Sequence, residues 1–440
     1  MKEKRGISLI VLVVTIIVMI IIAGAVIISL TDDNVIEQAT KATTNWNLST
    51  IKEQISVENA MRQSGIEGNY LPKVKDGTLR ELGIEDEEWN RKLLIENEKL
   101  VYRSENVSDK EKQELEQAGI NAGSHICIVS SETKNNKYSS NNNVITIDNL
   151  SSYTDKNVYF LEDITVSGWT TITSKITGVI DGDGHKINGI DTTFATNNEG
   201  TIKNLTLAGE CDFGSDGMFL VTNEGSLYNC HNEVNIADGM YCAGLVGENN
   251  GSIINSSNKG NINIQEDGAG LVYNNSDEGD IINCFNSGNL EFTAGVGTSS
   301  YAGGLVCYSS GNIINCYNRG NINGQNMRGL ACLVAQATNK LTNCYNVGII
   351  NNNNVDSNSH FTSLDGVFSK AINVYSIKID GIKANKAEYI NDLVNDGENI
   401  TPEDKKVLLN RLNSTNSSKI WVEDTNNIND GYPILYWQAQ

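Results

Sequence analysis

Residues 303–322 read GGLVCYSSGNIINCYNRGNI, and the same order of residues returns along the chain. Clear copies of its second half are SIINSSNKGNI at 252–262, DIINCFNSGNL at 280–290 and KLTNCYNVGII at 340–350. Weaker copies are TIKNLTLAGEC at 201–211, SLYNCHNEVNI at 226–236 and KAINVYSIKID at 370–380. Aligned, they place Asn204, Asn229, Asn255, Asn283, Asn315, Asn343 and Asn373 in one column, at intervals of 25, 26, 28, 32, 28 and 30 residues. The first half has its own copies upstream of several columns: AGLVG at 243–247, AGLV at 269–272 and RGLA at 328–331. A motif recurring at this period marks an architecture of stacked repeats.

The period also discriminates between solenoids. Each unit holds two or three short β runs separated by Gly or Asn, and no apolar helical pattern of ten residues fits inside it. Helical repeats and leucine-rich repeats are excluded, the latter also because Leu-x-x-Leu-x-Leu is missing. The expected fold is mainly β: a parallel β-solenoid (β-helix) of about seven coils, over residues 144–382. Coils stacked at ~4.8 Å extend for roughly 30 Å and align equivalent residues into ladders. The Asn column is then an amide ladder. The residue after it forms an inward stack of Leu205, Cys230, Ser256, Cys284, Cys316, Cys344 and Val374.

These strings resemble the GLUG motif of bacterial surface proteins, over about residues 158–380. The entry segment, from Phe160–Ile164 through VIDGDGHKINGI at 179–190, looks like the first coil that opens such arrays. The resemblance implies a repeat fold and a surface setting, not one activity: the motif occurs in adhesins and in accessory regions of surface proteases.

Composition agrees with a ladder. The 440 residues include 60 Asn and 40 Gly but only 3 Pro, and none of the prolines lies between Pro72 and Pro402. Proline cannot donate to a β ladder. A net charge of −21 argues against gripping nucleic acid, which needs a clustered Lys/Arg surface.

The N-terminus predicts the location. Lys2, Lys4 and Arg5 precede Gly6, and Ile7–Leu30 are 24 residues without a charge. As a helix they span ~36 Å, enough for a bilayer core of ~30 Å. Asp32, Asp33 and Glu37 follow, so the positive-inside rule puts the body outside a single-pass cell-membrane anchor at residues 7–30. Basic residues, Gly6 and an uncharged run starting at Ile7 resemble a type IV prepilin leader. That resemblance implies a prepilin peptidase that cuts after Gly6 and methylates Ile7. It departs at the fifth mature position, where the family carries Glu and this chain has Val11. A minor or tip subunit of a pilus-like fibre, or a plain membrane-anchored relative, is left open, as is an uncleaved anchor or a cleaved secretory signal. The leader, membrane helix and helical stalk occupy residues 1–64, with Val35, Ile36, Ala39, Ala42, Ile51, Ile55 and Ala60 as the apolar positions of the stalk.

Residues 65–130 read as a small α+β spacer. It contains a hairpin around Glu96–Lys99 and a helix opened by the capping box Ser108/Glu111. Residues 131–143 read as an Asn-rich linker. The C-terminal cap, 383–440, has a helix opened by Thr401-Pro402-Glu403-Asp404 and an apolar tail expected to cover the last open coil.

Candidate chemistry is sparse. Cys284, Cys316 and Cys344 are on neighbouring rungs, where pairing is conceivable in principle, but the odd total of nine favours a buried reduced stack used as filler. Cys-x-x-Cys, His-Glu-x-x-His and Gly-x-Ser-x-Gly are absent, which argues against a zinc site and against protease or esterase centres. Asp181-Gly-Asp183-Gly-His185 fits neither an EF-hand nor a paired-carboxylate hydrolase and reads as a glycine turn. No cofactor or metal is expected. Two residues past the Asn column stand Phe285, Tyr317, Tyr345 and Tyr375, after His231 and Ser257. Alternation puts this stripe opposite the Cys stack, either open to a glycan or a host or cell-surface protein, or covered by a neighbouring loop. The expected role is adhesion or structural display at the cell surface, without enzymatic activity. The alternative is a surface-anchored carbohydrate-active β-helix enzyme.

Overall fold

The computed structural model describes residues 44, 47–60, 74–292, 300–324, 329–337, 340–352, 360–362, 370–378, 387–394, 399–416 and 419–439. The leader with Gly6 and Ile7, the membrane run 7–30 and most of the stalk lie outside these residues. Among the described residues no helix is long and apolar enough to cross a membrane.

The chain forms two compact units. In the first, residues 47–60 are helical and bury Leu48, Ile51, Ile55 and Asn59, one stripe at helical spacing; Ala60, read as part of it, is exposed. Strands Leu93–Glu96 and Lys99–Tyr102 form an antiparallel hairpin. Its two-residue turn places Asn97 and Glu98 at φ 51° and 61°, the mirror-image geometry that matches strand twist. Helix Asp109–Gln117 starts at the capping box read from sequence, where Ser108 N donates to Glu111 Oε2 at 2.7 Å. Ion pairing with Lys92 and bonds from Ser108 hold the Glu111 carboxyl down to about 2.

The second unit is a parallel β-solenoid. One coil runs through Val246–Asn249, Ser252–Ile254, Ser257–Asn258, Ile262–Ile264 and Gly268–Ala269. Each of these strands pairs in parallel with its equivalent in the next coil. The register stacks Val158, Ile180, Ile202, Leu227, Ile253, Ile281, Ile313 and Leu341 in one interior column, none more than 1% exposed. Leu220, Val246, Val272, Val306 and Val334 form a second column, and Ile236, Ile262, Leu290, Ile322 and Ile350 a third. Burying each such side chain contributes roughly 1.5–3 kcal/mol.

The array begins earlier than its repeats suggest. Strand Ile126–Val129 pairs in parallel with Val144–Thr146 and with Asn157–Phe160, which continues into the coil ladder. Residues 131–143 are therefore not a linker: Ser131–Lys137 is a helix, capped by the Ser130 side chain, which accepts from Thr133 N. It buries none of its residues, so no apolar period marks it in the sequence.

The Asn column forms the corners. All seven Asn have φ between 50° and 56°, the left-handed region that Asn tolerates best among non-glycine residues. Asn229 Nδ2 donates to Asn204 Oδ1, Asn283 to Asn255, Asn315 to Asn283, Asn343 to Asn315 and Asn373 to Asn343, at 2.9–3.1 Å. Two further amide ladders run beside it. One links Asn198, Asn223, Asn249 and Asn275, at 2.7–2.8 Å. The other links Asn232, Asn258, Asn286, Asn318 and Asn346, at 2.8–2.9 Å. In these two the amides donate toward the following coil, and in the corner ladder toward the preceding one, so their dipoles oppose.

Every cysteine is buried and free of a disulfide. The thiol stack does more than fill space. Ser256 N, Cys284 N and Cys316 N each donate to the sulfur one coil on, at 3.4 Å. Burial pushes the Cys284 and Cys316 thiols well up, away from the reactive thiolate.

Candidate functional site

The stripe Phe285, Tyr317, Tyr345 and Tyr375 points away from the interior, but it is not a surface: the four are at most 5% exposed. Phe285 stacks on Tyr317 at 5.0 Å and 10°, and Tyr317 on Tyr345 at 5.1 Å and 2°, close to the coil repeat. The C-terminal segment lies along this column: the apolar tail expected over the last open coil packs on the stripe, while Glu388–Tyr389 pairs in parallel with Tyr375–Ser376. Leu408, Leu412, Trp421 and Leu435 pack on the rings. Trp437 stacks on Phe285 and on His231, and its Nε1 donates to Asn283 O at 3.0 Å. Tyr345 Oη donates to Pro433 O and accepts from Asn429 Nδ2, while Gln438 Nε2 donates to Tyr317 Oη. A polar groove of tyrosine hydroxyls is thus satisfied by the chain's own tail. Burial against Trp437 lowers the His231 pKa to about 4, so this histidine is neutral at pH 7.

The Asp181-Gly-Asp183-Gly-His185 turn spends its polar groups locally. Asp181 is fully buried; its Oδ1 accepts from Asn204 Nδ2 and Asp183 N, and its Oδ2 lies 3.6 Å from Lys203 Nζ. It heads the corner ladder. His185 Nδ1 lies 3.1 Å from Asp163 Oδ1, a carboxylate held below its ordinary range by Lys186 N and His185.

A second aromatic group is open to solvent. Tyr241, Tyr273, Tyr301 and Tyr308 come from three successive coils and meet edge to face. Tyr241–Tyr273, Tyr273–Tyr308 and Tyr301–Tyr308 have ring centroids 6.0, 5.6 and 6.0 Å apart, at 60°, 84° and 63°. Tyr241 is 45% exposed and the other three are half-buried over Ala269, Cys307, Ala331 and Ala335. Asp267 is fixed among them: its Oδ2 accepts from Tyr308 Oη and its Oδ1 from Tyr301 N, both at 2.7 Å. Glu266 holds the Tyr241 hydroxyl. Burial and the Asp267 carboxylate push the Tyr273 and Tyr308 phenols up, so both stay protonated donors.

The family model described as Glug, the GLUG motif, matches residues 298–323. The chain carries a GLUG repeat. Comparison with curated proteins and with solved structures gives no match. The matched GLUG segment holds Tyr301 and Tyr308 of the open wall, together with Asn315, Tyr317, Asn318 and Gly320 of the ladders and corners. One GLUG coil therefore carries both scaffold columns and wall residues. Sequence reasoning missed the wall because it followed the Asn column. The signal sits beside the other signature: Tyr241 and Tyr301 stand two residues before the small residues Ala243 and Gly303, Tyr273 directly after Val272, and Tyr308 two after Val306.

Proposed function

We propose that this chain is a cell-surface-anchored, prepilin-like repeat protein that acts in adhesion or structural display, with a minor subunit of a pilus-like fibre as its setting. A prepilin peptidase cuts after Gly6, Ile7 becomes the N-terminus, and residues 7–30 hold the chain in the membrane with its body outside. The observation that carries the adhesive reading is the open tyrosine wall, built across successive coils of a scaffold whose other aromatic column is sealed. Repeat stacking supplies a rigid, extended display surface, and exposed contiguous aromatic area marks an interaction site.

A carbohydrate-active enzyme on the same fold needs a carboxylate pair facing a substrate. Asp163 bonds His185 and Lys186 N, Asp181 is buried with Lys203, and Asp267 is committed to Tyr301 and Tyr308. Binding is the reading this geometry supports better.

N-terminal mass spectrometry of the protein extracted from membranes tests the processing. An N-methylated Ile7 is expected; a chain that still starts at Met1 contradicts it. Protease added to intact cells should release fragments of residues 144–440, and full protection of that region sinks the surface setting.

A further inference from the structure

We infer that the wall of Tyr241, Tyr273, Tyr301 and Tyr308, with Glu266 and Asp267, binds a basic, Lys- or Arg-bearing segment of a partner protein. The inference deepens the adhesive reading and rests on it for its biological setting.

Three features select that partner. First, the wall is acidic as well as aromatic. The segments that build it, 237–243, 264–275 and 300–309, contain Asp238, Glu266 and Asp267 and no Lys, Arg or His. The preceding coil continues the pattern with Asp212, Asp216 and Phe213, which is 58% exposed. Cations are drawn both to ring faces and to carboxylates. Second, the rings are tilted by 60° to 84° to their neighbours and form a corrugated surface. A sugar ring stacks on one broad open face, whereas a compact ammonium or a guanidinium fits a notch between a ring and a carboxylate. Third, the net charge of −21 repels a second copy of this chain and steers a cationic partner toward it.

The wall crosses two coil steps, or ~10 Å, which about three residues of extended chain span. Asp267 is held by two hydrogen bonds before any partner arrives, so little side-chain ordering opposes binding there.

The test uses the full-length chain in detergent micelles and a fluorescent nonapeptide of alternating Arg and Gly. An equal-length Glu/Gly peptide and a neutral cello-oligosaccharide serve as comparison probes. The double variant Tyr241→Ala/Glu266→Gln removes the most exposed ring and one carboxylate. The double variant Glu53→Gln/Glu85→Gln removes two exposed carboxylates far along the sequence. The wall variant is expected to bind the Arg/Gly peptide about tenfold more weakly. The remote variant, despite its larger loss of charge, should stay within about twofold of the parent chain. Equal weakening in both variants, or no weakening in either, overturns the inference. Binding of the neutral oligosaccharide that is lost in the wall variant overturns the partner class and makes the wall a sugar platform. Peptide binding at the wall, combined with unchanged attachment of cells that lack the protein, upholds the inference and removes the adhesive reading, so the two fail separately.

Discussion

Asn318→Ala is expected to destabilise the solenoid by about 4 kcal/mol. The Asn318 amide joins three neighbours. Its Oδ1 accepts from Asn286 Nδ2 at 2.9 Å, and its Nδ2 donates to Asn346 Oδ1 at 2.8 Å and to Gly320 O at 2.9 Å. Truncation removes three bonds at about 1 kcal/mol each and takes this partner from an Asn286 N–H and from Gly320 O away from water, at about 1–3 kcal/mol per group when neither relaxes, whereas Asn346 Oδ1 still accepts from Gly348 N. Asn286, Asn318 and Asn346 are fully buried, so no solvent replaces the lost partner. Exposed Asn351, whose Nδ2 donates to Asn323 Oδ1, is the comparison. Asn351→Ala should cost no more than about 0.5 kcal/mol. Urea unfolding followed by circular dichroism reads both; a loss for Asn318→Ala as small as that for Asn351→Ala would show that the ladder does not hold the coils.

A larger effect is expected from Gly288→Ala. Gly260, Gly288, Gly320 and Gly348 repeat at the turn after the third ladder, and each accepts a bond through its carbonyl from the ladder amide two residues before it. A Cβ added at Gly288 would lie 1.9 Å from Gly260 O and 2.9 Å from Asn258 Nδ2. The obstruction is backbone of the adjoining coil, not a side chain that swings aside, so the coils must part and their parallel pairing break locally. The expected cost exceeds about 4 kcal/mol, in the range where substitutions unfold domains. Limited proteolysis should detect a new cleavage region in the coils that hold Gly260 and Gly288. A variant that resists protease as the parent chain does would contradict this close approach.

These two residues also show what the sequence made legible. The repeat period and the column of Asn204 through Asn373 exposed the parallel stacking, because a solenoid turns a fixed spacing into vertical neighbours. The reason for Asn at the corners was not visible: an amide ladder alone does not demand it, but a left-handed corner does. The third ladder was hidden in plain repetition, since Asn258, Asn286, Asn318 and Asn346 stand three residues past the column already aligned. Strand alternation predicted correctly that Phe285 and Tyr317 point away from the thiols. It carried no information on what covers them, because Trp421 and Trp437 arrive from more than 100 residues farther along. The helix Ser131–Lys137 buries nothing and so left no period to read. The tyrosine wall is assembled from ring positions on both flanks of the Gly-Leu-Val signature, and only the coil register brings them together.

The ladders, the covered stripe and the open wall all depend on that register, and cross-linking tests it directly. Ser252 and Asp280 are paired residues on neighbouring coils, whereas Ser226 and Asp280 are separated by the coil of Ser252. In a parallel stack the first pair lies ~4.8 Å apart and the second ~9.6 Å, and a disulfide requires Cα atoms within about 7 Å. Under mild oxidation, the double variant Ser252→Cys/Asp280→Cys should form an intramolecular disulfide, detected by peptide mass spectrometry, and Ser226→Cys/Asp280→Cys should not. A bridge in the second variant and none in the first would contradict the stacked solenoid.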